Sequence, residues 1–335
     1  MKKIIIGNRI IGKDESCFII AEAGLNHDGE FAQAKELIKK AVKVGVDAIK
    51  FQTYKTEKFI RKGDKNFALF KSLELRDKDW IDLSKLAQKL GIIFFSSVWD
   101  EDSVDLLARL NALAYKIGSA DLTNLPLLSY VARKKKPIIL STGMSEIKEI
   151  EEALNVIYST GNKNVALLHC ISRYPADYKE LNLLTIKTMK DKFRVPVGFS
   201  DHTIGITGSL AAVALGANII EKHFTLDKNL PGPDHKLSLE PDEFREMIEN
   251  IRLIEEALGD GIKKPTKIEL KIRKLARRSI VSNTKIPERA KITENMLKLV
   301  RPGTGIEPRF INKIIGKIAK KEILEDEIIK WSKIL

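Results

Sequence analysis

The sequence predicts a (β/α)8 barrel followed by a small second domain, and three observations carry that reading. Eight apolar, strand-like runs alternate with segments of helical periodicity before residue 259. The runs are continuously hydrophobic rather than alternating, as expected of a parallel sheet covered by helices. Polar, chemistry-bearing residues collect at the C-terminal ends of the runs and almost never at the other, which is where barrel enzymes place their sites. Eight such units in roughly 250 residues is the usual size of this barrel. An open doubly wound sheet is the alternative fold, but its glycine-rich first turn is absent.

Taken in order, Ile4–Ile6 and Ile10–Ile11 flank Gly7-Asn8-Arg9 and suggest a small hairpin ahead of the main fold. The first run, Cys17–Ala23, carries Glu22 and is followed by Asn26-His27, then by a helical stripe of Ala34, Leu37, Ile38, Ala41 and Val42. The second, Ala48–Phe51, places Lys50 and Gln52 on one face, since strand side chains alternate. The third, Ile92–Phe95, ends in Ser96-Ser97, and the fourth, Ala114–Ile117, carries Lys116 with Ser119 beyond it. The fifth, Pro137–Leu140, ends in Ser141-Thr142-Gly143, and the sixth, Val165–Cys170, leads into Ser172 and Tyr174. The seventh, Val195–Phe199, breaks into Ser200-Asp201-His202, and the eighth, Ala217–Ile220, into Glu221-Lys222-His223. The alanine-rich segment Ile206–Leu215 between them reads as a short buried helix. Phe244, Met247, Ile248, Ile251, Ile254 and Leu258 form one face of the last helix, which Gly259 ends.

These boundaries give a barrel domain over residues 1–262, a basic, proline-punctuated linker over 263–275 and a second domain over 276–335. The last has short apolar runs and turns, with an evident loop at Arg301-Pro302-Gly303-Thr304-Gly305. With 44% hydrophobic and 31% charged residues, the chain has the composition of a globular protein. The net charge of +13 is spread along the sequence, without zinc-finger spacing, RNP-like segment or basic tail, so no nucleic-acid partner is expected. The two cysteines, Cys17 and Cys170, lie inside apolar runs and read as reduced core residues. No run reaches the ~18 apolar residues of a membrane span, and the start lacks a leader-like pattern, so a cytoplasmic protein without a membrane partner is expected.

Lys50, Lys116, Ser119, Ser141 and Ser200 supply ammonium and hydroxyl donors around one barrel mouth, a set suited to a phosphate plus a carboxylate. His202 and His223, at matched positions on neighbouring strands, suit a divalent metal with Glu22 or water completing the shell. Manganese is expected, with magnesium or cobalt as alternatives. No dinucleotide or P-loop fingerprint is present.

The motifs IAEAGLNHDGE (Ile20–Glu30), IKFQTY (Ile49–Tyr54), YKIGSAD (Tyr115–Asp121), LSTGM (Leu140–Met144), GFSDHT (Gly198–Thr203) and EKHFTLD (Glu221–Asp227) resemble, in this order, the sialic acid synthase family. ARRSIV (Ala276–Val281) and RPGTG (Arg301–Gly305) resemble that family's C-terminal antifreeze-like (SAF) domain, a β-clip, so the resemblance spans nearly the whole chain. It implies a transferase that condenses phosphoenolpyruvate with an N-acetylated hexosamine, giving a nine-carbon 2-keto sugar acid and phosphate, in a domain-swapped homodimer. By this resemblance His202 and His223 are metal ligands and, with Glu22, form the catalytic group. Lys50, Lys116, Ser119, Ser141, Ser172 and Ser200 hold phosphoenolpyruvate. Gln52, Tyr174, Glu221 and Asp234 surround the sugar, as does Glu22, and Arg301 reaches it from the partner subunit's small domain. Ser172 stands where members making N-acetylneuraminate typically have asparagine, and members making legionaminic or pseudaminic acid often have serine. The sugar implied is therefore N-acetylmannosamine or a 2,4-diacetamido-trideoxyhexose. A related synthase using a phosphorylated sugar is the nearest alternative, and a non-catalytic binding protein on a barrel scaffold is the alternative from another class.

Overall fold

The computed structural model describes residues 2–335; Met1, the first residue of the expected barrel domain, lies outside them. The chain divides into two units, one running to Gly259 and the other Asp260–Leu335. The first begins with an antiparallel hairpin, β1 (Ile4–Ile6) and β2 (Arg9–Ile11), turned at Gly7, whose φ of +59° favours glycine. Eight parallel strands follow: β3 (Phe18–Gly24), β4 (Ala48–Thr53), β5 (Ile93–Val98), β6 (Tyr115–Ile117), β7 (Ile138–Ser141), β8 (Val165–Cys170), β9 (Val197–Asp201) and β10 (Ile219–His223). They close in sequence order, β10 pairing with β3, so the expected barrel is the observed one.

Eight helices cover the strands. Of the first four helices, α1 (Phe31–Val44) and α4 (Asp77–Leu90) pack on the barrel, while α2 (Thr56–Phe59) and α3 (Phe67–Leu73) form an excursion after β4. The remaining covers are α5 (Glu101–Arg109), α6 (Leu125–Arg133), α7 (Ile147–Ser159), α8 (Thr185–Phe193), α9 (Thr207–Ala214) and α10 (Pro241–Leu258). Their apolar stripes face inward: α1 buries Ala34, Leu37, Ile38, Ala41 and Val44, and α10 buries Phe244, Met247 and Ile251. Helix starts are set locally, as where Asp100 accepts from Ser103 N at 2.8 Å to cap α5.

Several strands run one to three residues past the apolar stretches that mark them. Thr53, Ser97, Asp201 and His223 still pair in the ladder, because strand pairing uses backbone groups while apolarity reports only burial. Alternation then sorts the side chains. Ile19, Ile49, Leu140, Leu167 and Ile220 face the helices, whereas Phe18, Ile20, Ala48, Ile93, Phe95, Ile139, Leu168 and Ile219 fill the barrel interior. Ile4, Ile6 and Ile11 of the hairpin join this interior cluster.

In the second unit α11 (Lys267–Ala276) begins at a Thr266–Glu269 capping box. Part of the stretch expected as a linker is therefore helical: Pro265 precedes the helix instead of interrupting it. β11 (Ser279–Ser282) and β12 (Leu297–Val300) pair antiparallel, and α12 (Ile311–Ile314) follows. Ile280, Ile286, Ile292, Ile306, Ile314, Ala319, Ile323 and Ile329 form a separate core. Among the described residues no helix is long and apolar enough to cross a membrane.

Gly198, on β9, faces the barrel axis at a point where the wall has no room: a Cβ there would lie 2.3 Å from Ile219 O and 2.7 Å from Leu168 Cδ2. Gly198→Ala is expected to lower unfolding free energy by about 1–3 kcal/mol, the usual cost of overpacking. Urea denaturation measures this, and an unchanged midpoint would contradict the account.

Candidate active site

Above the apolar interior, the inward positions of the same strands turn polar. Glu22 comes from β3, Lys50 and Gln52 from β4, Ser97 from β5, Lys116 from β6, Ser141 from β7, Ser200 from β9, and Glu221 and His223 from β10. Cys170 ends β8, and Ser119, Ser172, Tyr174 and His202 follow directly after strand ends. Together they line a cavity of 320 Å³ at the C-terminal mouth. Each strand thus delivers a residue where its side chain turns inward and its backbone has just left the hydrophobic layer.

Two lysines dominate the floor, and both are almost wholly buried, Lys50 at 2% and Lys116 at 3% exposure. Lys50 Nζ pairs with Glu22 Oε2 at 2.7 Å and donates to Ser97 Oγ at 2.9 Å. Lys116 Nζ donates to Ser141 Oγ at 2.7 Å. Glu221 lies between them, its carboxylate 3.7 Å from each ammonium, and accepts from Ser200 Oγ at 2.8 Å. Gln52 Nε2 donates to Glu22 Oε1 at 3.2 Å. Burial would push the Glu221 carboxyl up, but Lys116, Lys50 and Ser200 together hold it below the usual carboxylate value. Glu22 has one close cation and a neighbouring carboxylate, and burial raises it to about 7. The result is one ionised carboxylate and one carboxyl that titrates around neutrality beside two cations, a site with net attraction for a small anion.

The histidine pair closes one side. Nδ1 of His202 is 2.8 Å from the carbonyl of Ile171, which can only accept, so Nδ1 carries the proton. Nε2 is left with its lone pair, 3.4 Å from Ser200 Oγ. The His223 ring lies 5.6 Å away, and its buried Nδ1 has no hydrogen-bond partner. Burial lowers the pKa of both rings, His223 strongly because His202 also opposes its charge, so both are neutral imidazoles. An unsatisfied buried nitrogen beside a second free lone pair fits a divalent cation. Among the described residues no group of three or more His, Cys, Asp or Glu forms a complete cage. Glu22, a candidate third ligand, is drawn instead to Lys50. The pair therefore suits an ion with open positions, not a closed structural centre.

The Tyr174 ring lies 4.2 Å from the His202 ring, tilted by 32°, and remains 54% exposed at the outer wall. Asp234, beyond β10, approaches His223 Nδ1 to 3.7 Å, and burial raises its carboxyl to about 6. Ser119 Oγ accepts from Gly143 N at 3.0 Å and sits 3.1 Å from Cys170 Sγ. A Cβ on Gly143 would lie 2.3 Å from Ser172 Oγ, so glycine is what lets these three side chains converge. Arg301 lies in the second unit, exposed just past β12.

Sequence reasoning missed Trp99, Met144 and the site-facing role of Cys170, all of which line the cavity. Cys170 was legible as a buried residue, but its position at the end of β8 on the inward face was the available clue. Trp99 follows the last residue of β5 and packs on Tyr54 and Phe59 at 5.8 and 5.3 Å, a placement that only the α2–α3 excursion creates. The other histidines lie outside the cavity lining: His27 Nδ1 accepts from Gly29 N at 3.1 Å and its ring packs on Phe51 and Trp80, His169 bonds to Leu181 O at 2.7 Å, and His235 bridges Thr225 and Asp28.

Comparison with known proteins agrees with this geometry. Residues 37–263 match the NeuB family and residues 277–335 the SAF domain. An uncharacterized protein of Methanocaldococcus jannaschii is 50% identical over 100% of this chain and 99% of its own. The N,N'-diacetyllegionaminic acid synthase of Campylobacter jejuni is 45% identical over 93% of this chain and 98% of its own. The crystal structure of an N-acetylneuraminic acid synthetase from Leptospira borgpetersenii, solved with citrate, superposes with a TM-score of 0.78 at 37% identity, covering 81% of this chain and 95% of that one. With the family match spanning the barrel and full-length relatives above 30% identity, the chain belongs to the NeuB family of sialic-type acid synthases.

Proposed function

We propose that this enzyme condenses phosphoenolpyruvate with the open-chain form of a 2,4-diacetamido-2,4,6-trideoxyhexose, giving a legionaminic-type nine-carbon 2-keto acid and phosphate. The observation that carries it is the lodging of Glu221 between Lys50 and Lys116, beside two neutral imidazoles. A cavity with two buried ammonium groups, five serine hydroxyls and a carboxylate held ionised between the lysines is built for a polyanion. Lys50 and Lys116, helped by Ser119, Ser141, Ser172 and Ser200, hold the phosphate and carboxylate of phosphoenolpyruvate. Gln52, Tyr174, Glu221 and Asp234 flank the space left for the sugar.

His202 and His223 would hold a divalent cation, manganese by preference, which supplies Lewis-acid polarisation of the sugar aldehyde when bound. In the reaction C3 of phosphoenolpyruvate bonds to the aldehyde carbon, water adds at C2, and the C–O bond to phosphate breaks. Phosphate leaves with that oxygen, and C2 becomes the keto carbon. Lys50 and Lys116 stabilise the charge that remains on the departing phosphate. Glu22, raised by burial to about 7 and bonded to Gln52, can give or take a proton at the sugar end of the cavity. Arg301 acts on the sugar from the small domain of a second copy, in a homodimer. The acceptor is chosen on two grounds: Ser172, and the Campylobacter relative named as a diacetyllegionaminic acid synthase.

Phosphate release from phosphoenolpyruvate is expected with manganese and 2,4-diacetamido-2,4,6-trideoxymannose, at least tenfold faster than with N-acetylmannosamine or its 6-phosphate, and chelator should abolish it. Preference for N-acetylmannosamine would overturn the choice of acceptor, and release unaffected by chelator would overturn the metal. His202→Ala is expected to cut kcat by about 100-fold or more, the scale of losing a key electrostatic group, with the fold intact by circular dichroism. Arg301→Ala should raise KM for the sugar about tenfold or more while leaving KM for phosphoenolpyruvate within twofold. Equal losses for both substrates would count against its contact with the sugar.

A further inference from the structure

The outer wall beneath the histidines holds a charged pair that the reaction itself does not use. Asp201 and Lys222 sit opposite one another on β9 and β10, and both side chains are 0% exposed. Strand alternation places them between Ser200 and His202 on one strand and between Glu221 and His223 on the other, facing away from the cavity. Asp201 Oδ1 accepts from Thr203 N at 2.9 Å and from Thr203 Oγ1 at 2.8 Å. Its Oδ2 accepts from Ser209 Oγ at 2.7 Å and pairs with Lys222 Nζ at 3.2 Å. Lys222 Nζ also donates to the carbonyl of Thr203. Gly208 makes room for the cluster, since a Cβ there would lie 3.1 Å from the Asp201 carboxylate.

The turn 201–203 that carries His202 is thus clasped from both sides: Asp201 holds the amide and hydroxyl of Thr203, and Lys222 holds its carbonyl. The same ammonium belongs to the residue between Glu221 and His223. One pair therefore ties the backbone under one imidazole to the backbone under the other. A buried ion pair is a poor source of net stability compared with apolar packing, but it is demanding in geometry. Here every polar atom of the pair is engaged, with Thr203 beside His202, with Ser209 of α9 and with the opposite member of the pair.

We infer that the Asp201–Lys222 pair is a positioning device that sets the separation and orientation of His202 and His223 for a divalent cation. The inference rests on the metal reading above. Groups that hold metal ligands in place typically govern metal affinity by about 10–100-fold. At the anion end of the cavity Lys50 and Lys116 donate to Ser97 and Ser141, which the Asp201–Lys222 pair does not touch.

The test uses the full-length, metal-stripped chain, with free Mn2+ titrated by electron paramagnetic resonance and phosphoenolpyruvate binding followed by calorimetry. The double variant Asp201→Asn/Lys222→Met removes both charges together, so neither is left buried alone. It is expected to weaken Mn2+ binding at least tenfold while phosphoenolpyruvate affinity stays within twofold. Thr203→Val, which removes one bond to Asp201 without unpairing a charge, should give a smaller loss in the same direction and decides the question if the double variant does not fold. Wild-type Mn2+ affinity in the folded double variant, or in Thr203→Val where that variant decides, overturns the inference, as does a parallel loss of both ligands from general loosening. A wild-type chain that binds no Mn2+ at all overturns the metal reading and this inference with it, a result distinct from the other two.

Discussion

Two ammonium groups at the centre of a protein are costly, since taking each out of water costs several kcal/mol even after relaxation. Lys50 and Lys116 can be kept there only because Glu22, Glu221, Ser97 and Ser141 are brought to them from four other strands. The rest of the cavity depends on this balance. Glu221 cannot be placed by β10 alone, because its two attractions come from β4 and β6, across the barrel. Closure of the sheet is therefore a condition of the site as well as of the fold, and an open sheet with the same strands would leave the lysines without counter-charges.

The division of the barrel interior follows from the same constraint. Toward the hairpin, inward positions are filled by Phe18, Ile20, Phe95, Ile139 and Ile219, and Ile4, Ile6 and Ile11 extend that cluster. This dry layer lowers the local dielectric beneath the charged one and strengthens each pairing in it. It also leaves the C-terminal mouth as the open approach to the site. The neutral state of both site histidines has the same origin, since burial disfavours their charged forms and leaves lone pairs free for a cation.

The outer face of the wall is less uniform than barrel packing requires. Between the strands and helices most residues are aliphatic, yet Asp201, Lys222, Thr203 and Ser209 form a polar island directly behind the two histidines. In the second unit, α11 buries none of its residues and leaves Ile268, Ile272 and Leu275 exposed. Such a helix is stabilised locally by its capping box and does not contribute to the isoleucine-rich core that follows it.

Much of this was written in the order of the residues. Continuous apolar runs, helical stripes and the period of two in strands determined the barrel, its eight units and the inward face of Lys50, Gln52, Ser200, His202, Glu221 and His223. These depend only on local periodicity and on which side chains water excludes, properties that a linear chain already possesses. The helix inside the expected linker is not signalled by Pro265, which stands just ahead of the Thr266 cap and interrupts nothing. Tertiary structure alone decided which charges meet: that Glu22 turns to Lys50, that Glu221 is shared by two lysines, and that Trp99 and Cys170 face the cavity. Those outcomes depend on distances between strands far apart in sequence, and electrostatic preference is set by such distances and by burial, neither of which exists before the barrel closes.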